Sequence, residues 1–348
     1  MFAIRGAAIP VLASFILAGC SHLPATQPVK REVLVALQPV EVNLGIRQPE
    51  LYATFVRSNA GATGAAACGA VPGLGILLAA ACGGAMGAVD ASVNATRAKA
   101  AEESVRPLKD ELVDLNFDQL MRESLAQELQ AVPGVRLADT GVTVTKTTTT
   151  EAYEKTFKAS RSNAVMFVNL DYHLSTDFST LEVSSRGLLY PRGTAAREAA
   201  KLPAALPTTS SEPVLALQNA SYRSSIVYRA KHPAASDDAT KNIAAWKADG
   251  ARMLKLALQD AIAQSAALLA ADLQGRHPVY ASATAQVSVP PGLKANLVAQ
   301  GSTGRLLRYP DGSLNFDAAL ASVAAAAPAA PAAPAVAAMQ ATSDAPAK

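Results

Sequence analysis

The chain has 348 residues, 50% of them hydrophobic, and a mean hydropathy of +0.17. Its 31 basic and 28 acidic residues nearly balance, so the composition argues against a protein that binds nucleic acid or an anionic membrane through charge alone. No Gly-rich phosphate loop follows a predicted strand, and neither GxSxG nor HExxH occurs, so the sequence predicts no catalytic site and no cofactor.

The first 19 residues have the layout of a secretory signal peptide. One positive charge, Arg5, precedes an apolar run from Ala7 to Leu17. The run continues into "LAGC", residues 17–20, which resembles the lipobox of Gram-negative bacterial lipoproteins. The resemblance implies cleavage before Cys20 and attachment of lipid, including palmitate, to that residue. The alternative is a plain secretory signal in which Cys20 is incidental.

In that family the residue after the lipidated cysteine directs sorting. Here it is Ser21 rather than the aspartate that retains lipoproteins in the inner membrane, so the resemblance implies an outer-membrane anchor with the protein on the periplasmic face. Cleavage removes Arg5 and leaves 30 basic against 28 acidic residues. Several acyl chains anchor a protein without a polybasic segment. We expect residues 20–31 to form the lipidated tether.

Residues 32–106 are predicted to contain two extended segments followed by helix. Val33–Asn43 and Leu51–Val56 have strand-like patterns, and Asp90–Val105 is predicted to be helical. A stretch without any charge lies between the second extended segment and this helix. The structure of the region therefore depends on whether that stretch crosses a membrane or packs within the protein.

The uncharged stretch runs from Ser58 to Val89. It is long enough to span a membrane, but only seven of its residues are Val, Leu, Ile or Met, and eight are Gly. Two interpretations remain open. One is a membrane-inserted segment, and the other is a soluble helical hairpin broken at Pro72-Gly73.

Small residues recur at every fourth position from 75 to 95. They are Gly75, Ala79, Gly83, Gly87, Ala91 and Ala95. Such a ridge would let another helix approach closely and would support a homo-oligomer. A segment this rich in Gly and Ala also produces such a ridge by chance. The ridge therefore does not decide between a helix-packing surface and a coincidence of composition.

The chain has three cysteines, and Cys68 and Cys82 are the two that remain as thiols if Cys20 is lipidated. An oxidising compartment favours a disulfide between them. In one straight helix their Cα atoms would lie about 21 Å apart, beyond the limit of about 7 Å for a disulfide. A turn at Pro72-Gly73 would bring them together, so we predict a Cys68–Cys82 disulfide that accompanies the soluble hairpin.

Residues 107–273 are predicted to form an α+β domain. Pro107 is placed in the first turn of a helix that Pro133-Gly134 ends, and a strand and a helix near Glu151–Ser160 follow. The connection from Pro191 to Gln218 is long for a compact domain and is predicted to be a surface excursion. Trp246–Leu273 is predicted to be an amphipathic helix.

Three strands in this domain carry the clearest pattern, "NAVMFVNLDYHL", "LEVSSRGLLY" and "YRSSIVYR". The order helix, strand, helix, three-strand meander and closing helix resembles the α+β module of periplasmic lipoproteins such as the curli secretion lipoprotein, penicillin-binding-protein activators and the N-terminal domain of TolB. The resemblance implies a mixed or antiparallel sheet packed by helices. It also implies a binding or assembly role in the cell envelope.

Asp171 and His173 alternate with the apolar positions of the first of these strands, and Asp177 follows in the turn. Carboxylate and imidazole groups so close together could bind a metal or exchange protons. A solvated or helix-covered sheet face explains them equally, and no second His or Cys cluster lies nearby. We therefore predict no metal site.

The C-terminal end divides at Ala318. Residues 274–317 are predicted to form a strand and a hairpin with the turn Pro310-Asp311-Gly312. From Ala318 to Lys348 the Ala/Pro repeats predict a disordered tail, because the prolines interrupt a helix and alanine offers little surface for a core.

The sequence as a whole predicts a non-enzymatic α+β lipoprotein that binds or scaffolds an envelope protein or peptidoglycan. Nucleic acid is not an expected partner. The alternative is a self-associating, membrane-inserted secretion or permeability component that uses residues 58–95.

Overall fold

A computed structural model describes residues 23, 25–58, 75–206, 213–276, 285–289 and 292–326, with the backbone alone for 75–89 and 326. These ranges contain seven α-helices and ten strands. All ten strands belong to one mixed sheet, which the helices pack. The predicted α+β class is confirmed.

The strands are β1 (Val40–Ile46), β2 (Tyr52–Ala53), β3 (Leu137–Thr145), β4 (Ala164–Leu174), β5 (Thr180–Pro191), β6 (Tyr222–Lys231), β7 (Gln286–Val289), β8 (Leu293–Gly301), β9 (Gly304–Arg308) and β10 (Leu314–Ala318). The α-helices are α1 (Arg31–Ala36), α2 (Gly75–Glu111), α3 (Phe117–Gln130), α4 (Thr150–Ala159), α5 (Thr194–Ala199), α6 (Ala239–Leu273) and α7 (Leu320–Ala326).

The order across the sheet is β3-β1-β4-β5-β6-β10-β9-β8-β7, with β2 paired to β4 beyond the end of β1. β1 is parallel to β3 and β4, and β10 is parallel to β6, whereas the other neighbours on this path are antiparallel. The predicted meander β4-β5-β6 is confirmed. The sheet also takes strands from the segments 32–106 and 274–317, which the sequence had set apart from the α+β domain.

The inner face of the sheet carries the main core. Alternate residues of β4, including Met166, Val168 and Leu170, are buried there, as the period of two predicted. Helices α3 and α6 pack on this face, and Met121 and Leu258 from them are almost fully buried in the same cluster. Their burial removes the apolar side chains of both layers from water.

The outer face is covered at one end by α4 and by the connection between β5 and β6. Phe157 of α4 packs there with Phe167 and Val214 in a second apolar cluster. The connection was predicted to be a surface excursion, but it contains α5 and the buried Arg197. The Arg197 guanidinium donates to the carbonyl of Pro203 at 2.6 Å, which compensates for its burial.

The N-terminal segment differs from the prediction. Residues 31–36 are helical rather than extended, because Leu34 and Leu37 are both buried three residues apart, a spacing that one face of a helix provides. The preceding residues already belong to the domain. Gln27 exchanges two backbone hydrogen bonds with Arg223, and Ala25 donates to Asp311 at 2.8 Å. Residues from Ala25 onward are therefore part of the fold rather than of a tether.

Pro107 does not begin a helix as predicted. It lies inside α2, four residues before the end of that helix. Proline removes one backbone hydrogen bond, but the neighbouring Val105 and Leu108 are fully buried and hold the helix against the core. The break comes instead before α3, where the Asn116 side chain accepts from the Gln119 amide at 3.1 Å and starts a new helix.

Helix α6 begins at Ala239, seven residues earlier than the sequence indicated, with Asp238 as its N-cap. It is interrupted at 248–251, where Asp249, Gly250 and Ala251 all have positive φ. Ala251 is fully buried at this break, so the change in direction carries the second half of the helix onto the core. Hydrophobic periodicity does not report such a break, since the buried face continues on both sides.

The disordered tail was predicted to begin too early. Ala318 is the last residue of β10, and Leu320 of α7 is 2% exposed in the main core. Leucine supplies the apolar area that the alanines around it lack. The Ala/Pro repeats from 327 onward lie outside the described residues.

Helix α2 includes the second half of the uncharged stretch. Its 37 residues would extend over about 55 Å, and Ala91 and Ala95 of the predicted ridge are exposed. The ridge residues from 75 to 87 and Cys82 lie where only the backbone is described, and Cys68 and Pro72-Gly73 lie outside the described residues. Among the helices described, none is both long and apolar enough to cross a membrane.

Residues 56–58, which lead into the uncharged stretch, are hydrogen-bonded to side chains of α2. The Ser58 amide donates to Asn94 Oδ1 at 2.7 Å, and the Arg97 guanidinium donates to the carbonyl of Val56 at 2.7 Å. Polar contacts thus hold residues 56–58 against α2 at a place where few of its side chains are buried.

Candidate ligand-binding site

The outer face of the sheet is polar and uncovered beyond the end that α4 occupies. A cavity of about 330 Å³ opens there. Its lining includes Arg47, Asn169, Asp171, Ser184, Arg186 and Ser225. We call this cavity the outer-face pocket.

The register of four neighbouring strands builds the floor of the pocket. Gly45 of β1 pairs with Asn169 of β4, Asn169 with Arg186 of β5, and Arg186 with Ser225 of β6. Neighbouring strands lie about 4.8 Å apart, so this row is about 14 Å wide. Asp171 and Ser184 are paired in the adjacent row of the same face. Polar side chains from three strands, β4, β5 and β6, therefore face the same space.

Asp171 is held by two aromatic neighbours. The Tyr52 hydroxyl donates to Asp171 Oδ2 at 2.7 Å, and His173 Nδ1 lies 3.0 Å from the same oxygen. Burial alone would raise the pKa of Asp171, but these hydrogen bonds outweigh it and lower the pKa below its ordinary value. Asp171 is therefore ionised at neutral pH, with one oxygen already engaged.

Tyr52 acts as a donor rather than as a nucleophile. Burial and the neighbouring Asp171 carboxylate both raise its pKa well above the ordinary value near 10, so the hydroxyl keeps its proton. The Tyr52 and His173 rings lie 5.4 Å apart. This contact joins β2 to β4, and both residues hold Asp171, which lines the pocket.

Tyr153 of α4 contacts the side chain of Asn169, which lines the pocket. Its hydroxyl donates to Asn169 Oδ1, and burial raises its pKa to about 12, so it remains a donor at neutral pH. A Cβ at Gly45 would lie 2.7 Å from Asn169 Oδ1 and still closer to the Tyr153 hydroxyl. Gly45 is thus required for this close approach. The Asn169 Nδ2 makes no hydrogen bond within the described part of the chain and remains available to a ligand.

Arg47 and Arg186 make the pocket electropositive. Both side chains are exposed, and neither guanidinium group makes an ion pair or hydrogen bond with another described residue, although the charge of Arg47 helps to lower the pKa of Asp171. Lys146, a third cation near this region, is engaged, because its Nζ lies 2.5 Å from Asp118 Oδ2. The two guanidinium groups thus outnumber the single carboxylate of Asp171 in the pocket.

The charges farther across the outer face neutralise one another. Arg229 lies 3.5 Å from Glu182, and Arg305 lies 3.0 Å from Asp317. These pairs use the acidic groups of β5 and β10 that face this side. Glu182 and Asp317 are therefore paired with other arginines, and Asp171 is the remaining acid near Arg186 among the described residues of this face.

The structure brings together only part of the group that the sequence singled out. Asp171 and His173 are in contact, but Asp177 caps the β4-β5 turn, where it accepts from the Ser179 amide at 3.1 Å. Among the described residues, no three His, Cys, Asp or Glu side chains are grouped closely enough to hold a metal ion. Cys20, the predicted lipidation site, lies outside the described residues.

Sequence reasoning missed Tyr52, Arg47, Tyr153 and Arg186 as members of a site. Arg186 could have been found, since it occupies a polar position of a correctly predicted strand. Tyr52 and Arg47 could not, because their place depends on β1 and β2 pairing with β4, which lies about 120 residues away.

The comparisons with known proteins give no family for this chain. No family model, no curated protein and no solved structure matches it.

Proposed function

We propose that this chain is a non-enzymatic lipoprotein of the Gram-negative periplasm, anchored in the outer membrane through lipid on Cys20. Its α+β domain binds or scaffolds another envelope component, an envelope protein or peptidoglycan. The single observation that carries the anchor is "LAGC" at residues 17–20, directly behind the apolar run. The outer-face pocket is the surface that we assign to binding.

The start of the domain supports a short tether. Ala25 is hydrogen-bonded to the β9-β10 turn, so only four residues separate it from Cys20. The five steps from Cys20 to Ala25 reach at most about 18 Å when extended. A lipid on Cys20 would therefore hold the domain close to the membrane surface, where envelope components are concentrated.

The test is fractionation of cells that express Cys20→Ala. We expect the protein to leave the membrane fraction, because Cys20 carries the only anchor in this proposal. Cys82→Ala is the matched control and should stay in the membrane fraction. Metabolic labelling with a palmitate analogue should mark the wild type and Cys82→Ala but not Cys20→Ala. Labelling that is equal in all three would reject the lipid anchor.

A second function, a self-associating and membrane-inserted secretion or permeability component, is favoured by one observation. Helix α2 includes residues 75–89 of the uncharged stretch, and the residues that follow in it, 91–100, are mostly exposed rather than packed in the core. In this case Cys20→Ala would remain membrane-bound after alkaline extraction. Complete release of Cys20→Ala would reject insertion.

A further inference from the structure

We propose that the outer-face pocket binds a small oxyanion, a carboxylate or phosphate group carried by a polar ligand, through Arg47 and Arg186. This inference rests on the proposed role of the domain in binding, but it does not depend on the lipid anchor. It names the chemical class that the pocket recognises.

The donors in the pocket carry the argument. The Asn169 Nδ2 makes no hydrogen bond to any described residue, whereas Oδ1 of the same amide accepts from the Tyr153 hydroxyl. The hydroxyls of Ser184 and Ser225 line the same cavity and likewise make no side-chain hydrogen bond in the part of the chain described. Together with two guanidinium groups, these donors face a space that holds only one carboxylate.

The arrangement of charge selects an anion rather than a cation. Asp171 is the one acidic residue among the lining residues, so its carboxylate balances only one of the two guanidinium groups and leaves a net positive charge. A guanidinium group presents two parallel N–H donors that match a carboxylate or a phosphate. Side chains from neighbouring strands can reach one such group, because the row from Gly45 to Ser225 is only about 14 Å wide.

The size and polarity of the cavity limit the rest of the ligand. A volume of about 330 Å³ is near the lower end of ligand pockets, and every lining residue except Gly45 and Leu170 has a polar side chain. The occupant is therefore a small polar molecule, or the acidic end of a larger one.

The test is isothermal titration calorimetry of the full chain at constant ionic strength, in separate arms with inorganic phosphate and with succinate. Glucose serves as the uncharged comparison. We expect heat from at least one anion and none from glucose, and the arm that responds identifies the oxyanion. Raising the NaCl concentration should weaken binding, since both partners are charged.

Arg186→Gln is the decisive variant, because its exposed side chain contributes nothing to the core. We expect it to weaken anion binding about tenfold or more, as loss of charge-assisted hydrogen bonds does. Arg252→Gln is the matched control, since Arg252 is exposed on α6, away from the pocket.

The inference is overturned if neither anion binds, or if Arg186→Gln binds as the wild type does. An equal loss in Arg252→Gln would also overturn it, because the anions would then respond to overall charge. Failure of the Cys20→Ala experiment would leave these binding results unchanged, so the anchor and the pocket are tested separately.

Discussion

The indole nitrogen of Trp246 donates a hydrogen bond to the backbone carbonyl of Phe178 at 2.8 Å. Trp246 is fully buried near the start of α6, and Phe178 lies in the β4-β5 turn with a positive φ of 58°. His232 packs edge-on against the indole at 4.7 Å between ring centroids. A turn of the sheet, the segment after β6 and a helix thus meet at one side chain.

Trp246→Phe should destabilise the domain by about 1–3 kcal/mol, because it leaves the buried carbonyl of Phe178 without its donor and opens a small cavity. Thermal unfolding followed by circular dichroism measures the loss. Trp246 is the single tryptophan, so the wild-type fluorescence reports unfolding at this contact. A loss below about 0.5 kcal/mol would show that the hydrogen bond is not important for stability.

His232 should make the domain less stable in mild acid. Its Nδ1 accepts from the Ala234 amide at 3.1 Å, and burial lowers its pKa below the ordinary value near 6.5. As the pH falls below 6.5, the unfolded chain takes up the proton first. The contribution of His232 is therefore complete above that pH and is lost progressively as the pH falls toward the folded pKa.

Chemical denaturation at pH 8, 7, 6 and 5 checks this effect. We expect His232→Asn to lose less stability between pH 7 and pH 5 than the wild type, whatever its stability at pH 8. Asparagine can still accept from the Ala234 amide but does not titrate. Parallel pH profiles for the two proteins would exclude His232 as a source of acid sensitivity.

Gly45→Ala should cost about 1–3 kcal/mol, since the added Cβ would lie 2.9 Å from Thr148 Cγ2 and press on Tyr153 and Asn169. Gly301→Ala is the control, because a Cβ there has no atom within 4 Å and no positive φ is involved. Differential scanning fluorimetry of both variants is sufficient. If Gly45→Ala melts at the same temperature as Gly301→Ala, then α4 can move away from β1 without loss of stability.

The C-terminal segment should contribute to stability only up to α7. Deletion of residues 327–348 is expected to leave the melting temperature unchanged, because the Ala/Pro repeats offer little surface for a core. Deletion from Ala318 should lower it by several degrees. Leu320→Ala alone should cost about 2–4 kcal/mol, since this leucine is 2% exposed. A melting temperature unaffected by the longer deletion would contradict the packing of Leu320.

Cys68 and Cys82 remain predicted to form a disulfide. It would close a loop of about 15 residues and stabilise the protein by about 3 kcal/mol. Mass spectrometry of the non-reduced, alkylated protein decides the question. If both cysteines carry the alkylating label, the hairpin interpretation of the uncharged stretch loses its main support.

Local pattern was enough to predict the strands of the meander. The alternation in 164–174 places Met166 and Asp171 on opposite faces, and the structure agrees, because a strand exposes its two faces with a period of two whatever lies beside it. The turn Pro310-Asp311-Gly312 was equally predictable from residues that favour turns. These features depend on a few neighbouring residues.

Sequence pattern was therefore enough to predict the lipobox-like end, the α+β class and which side chains of β4 and β6 face the core. Other features followed only from tertiary contacts: β1 and β10 enter the sheet parallel to β4 and β6, α6 breaks at 248–251, and Arg47 lines the same pocket as Asp171. The physical reason is distance along the chain. Strand partners and helix breaks are fixed by contacts between residues tens to hundreds of positions apart, and hydrophobic periodicity carries no record of those partners.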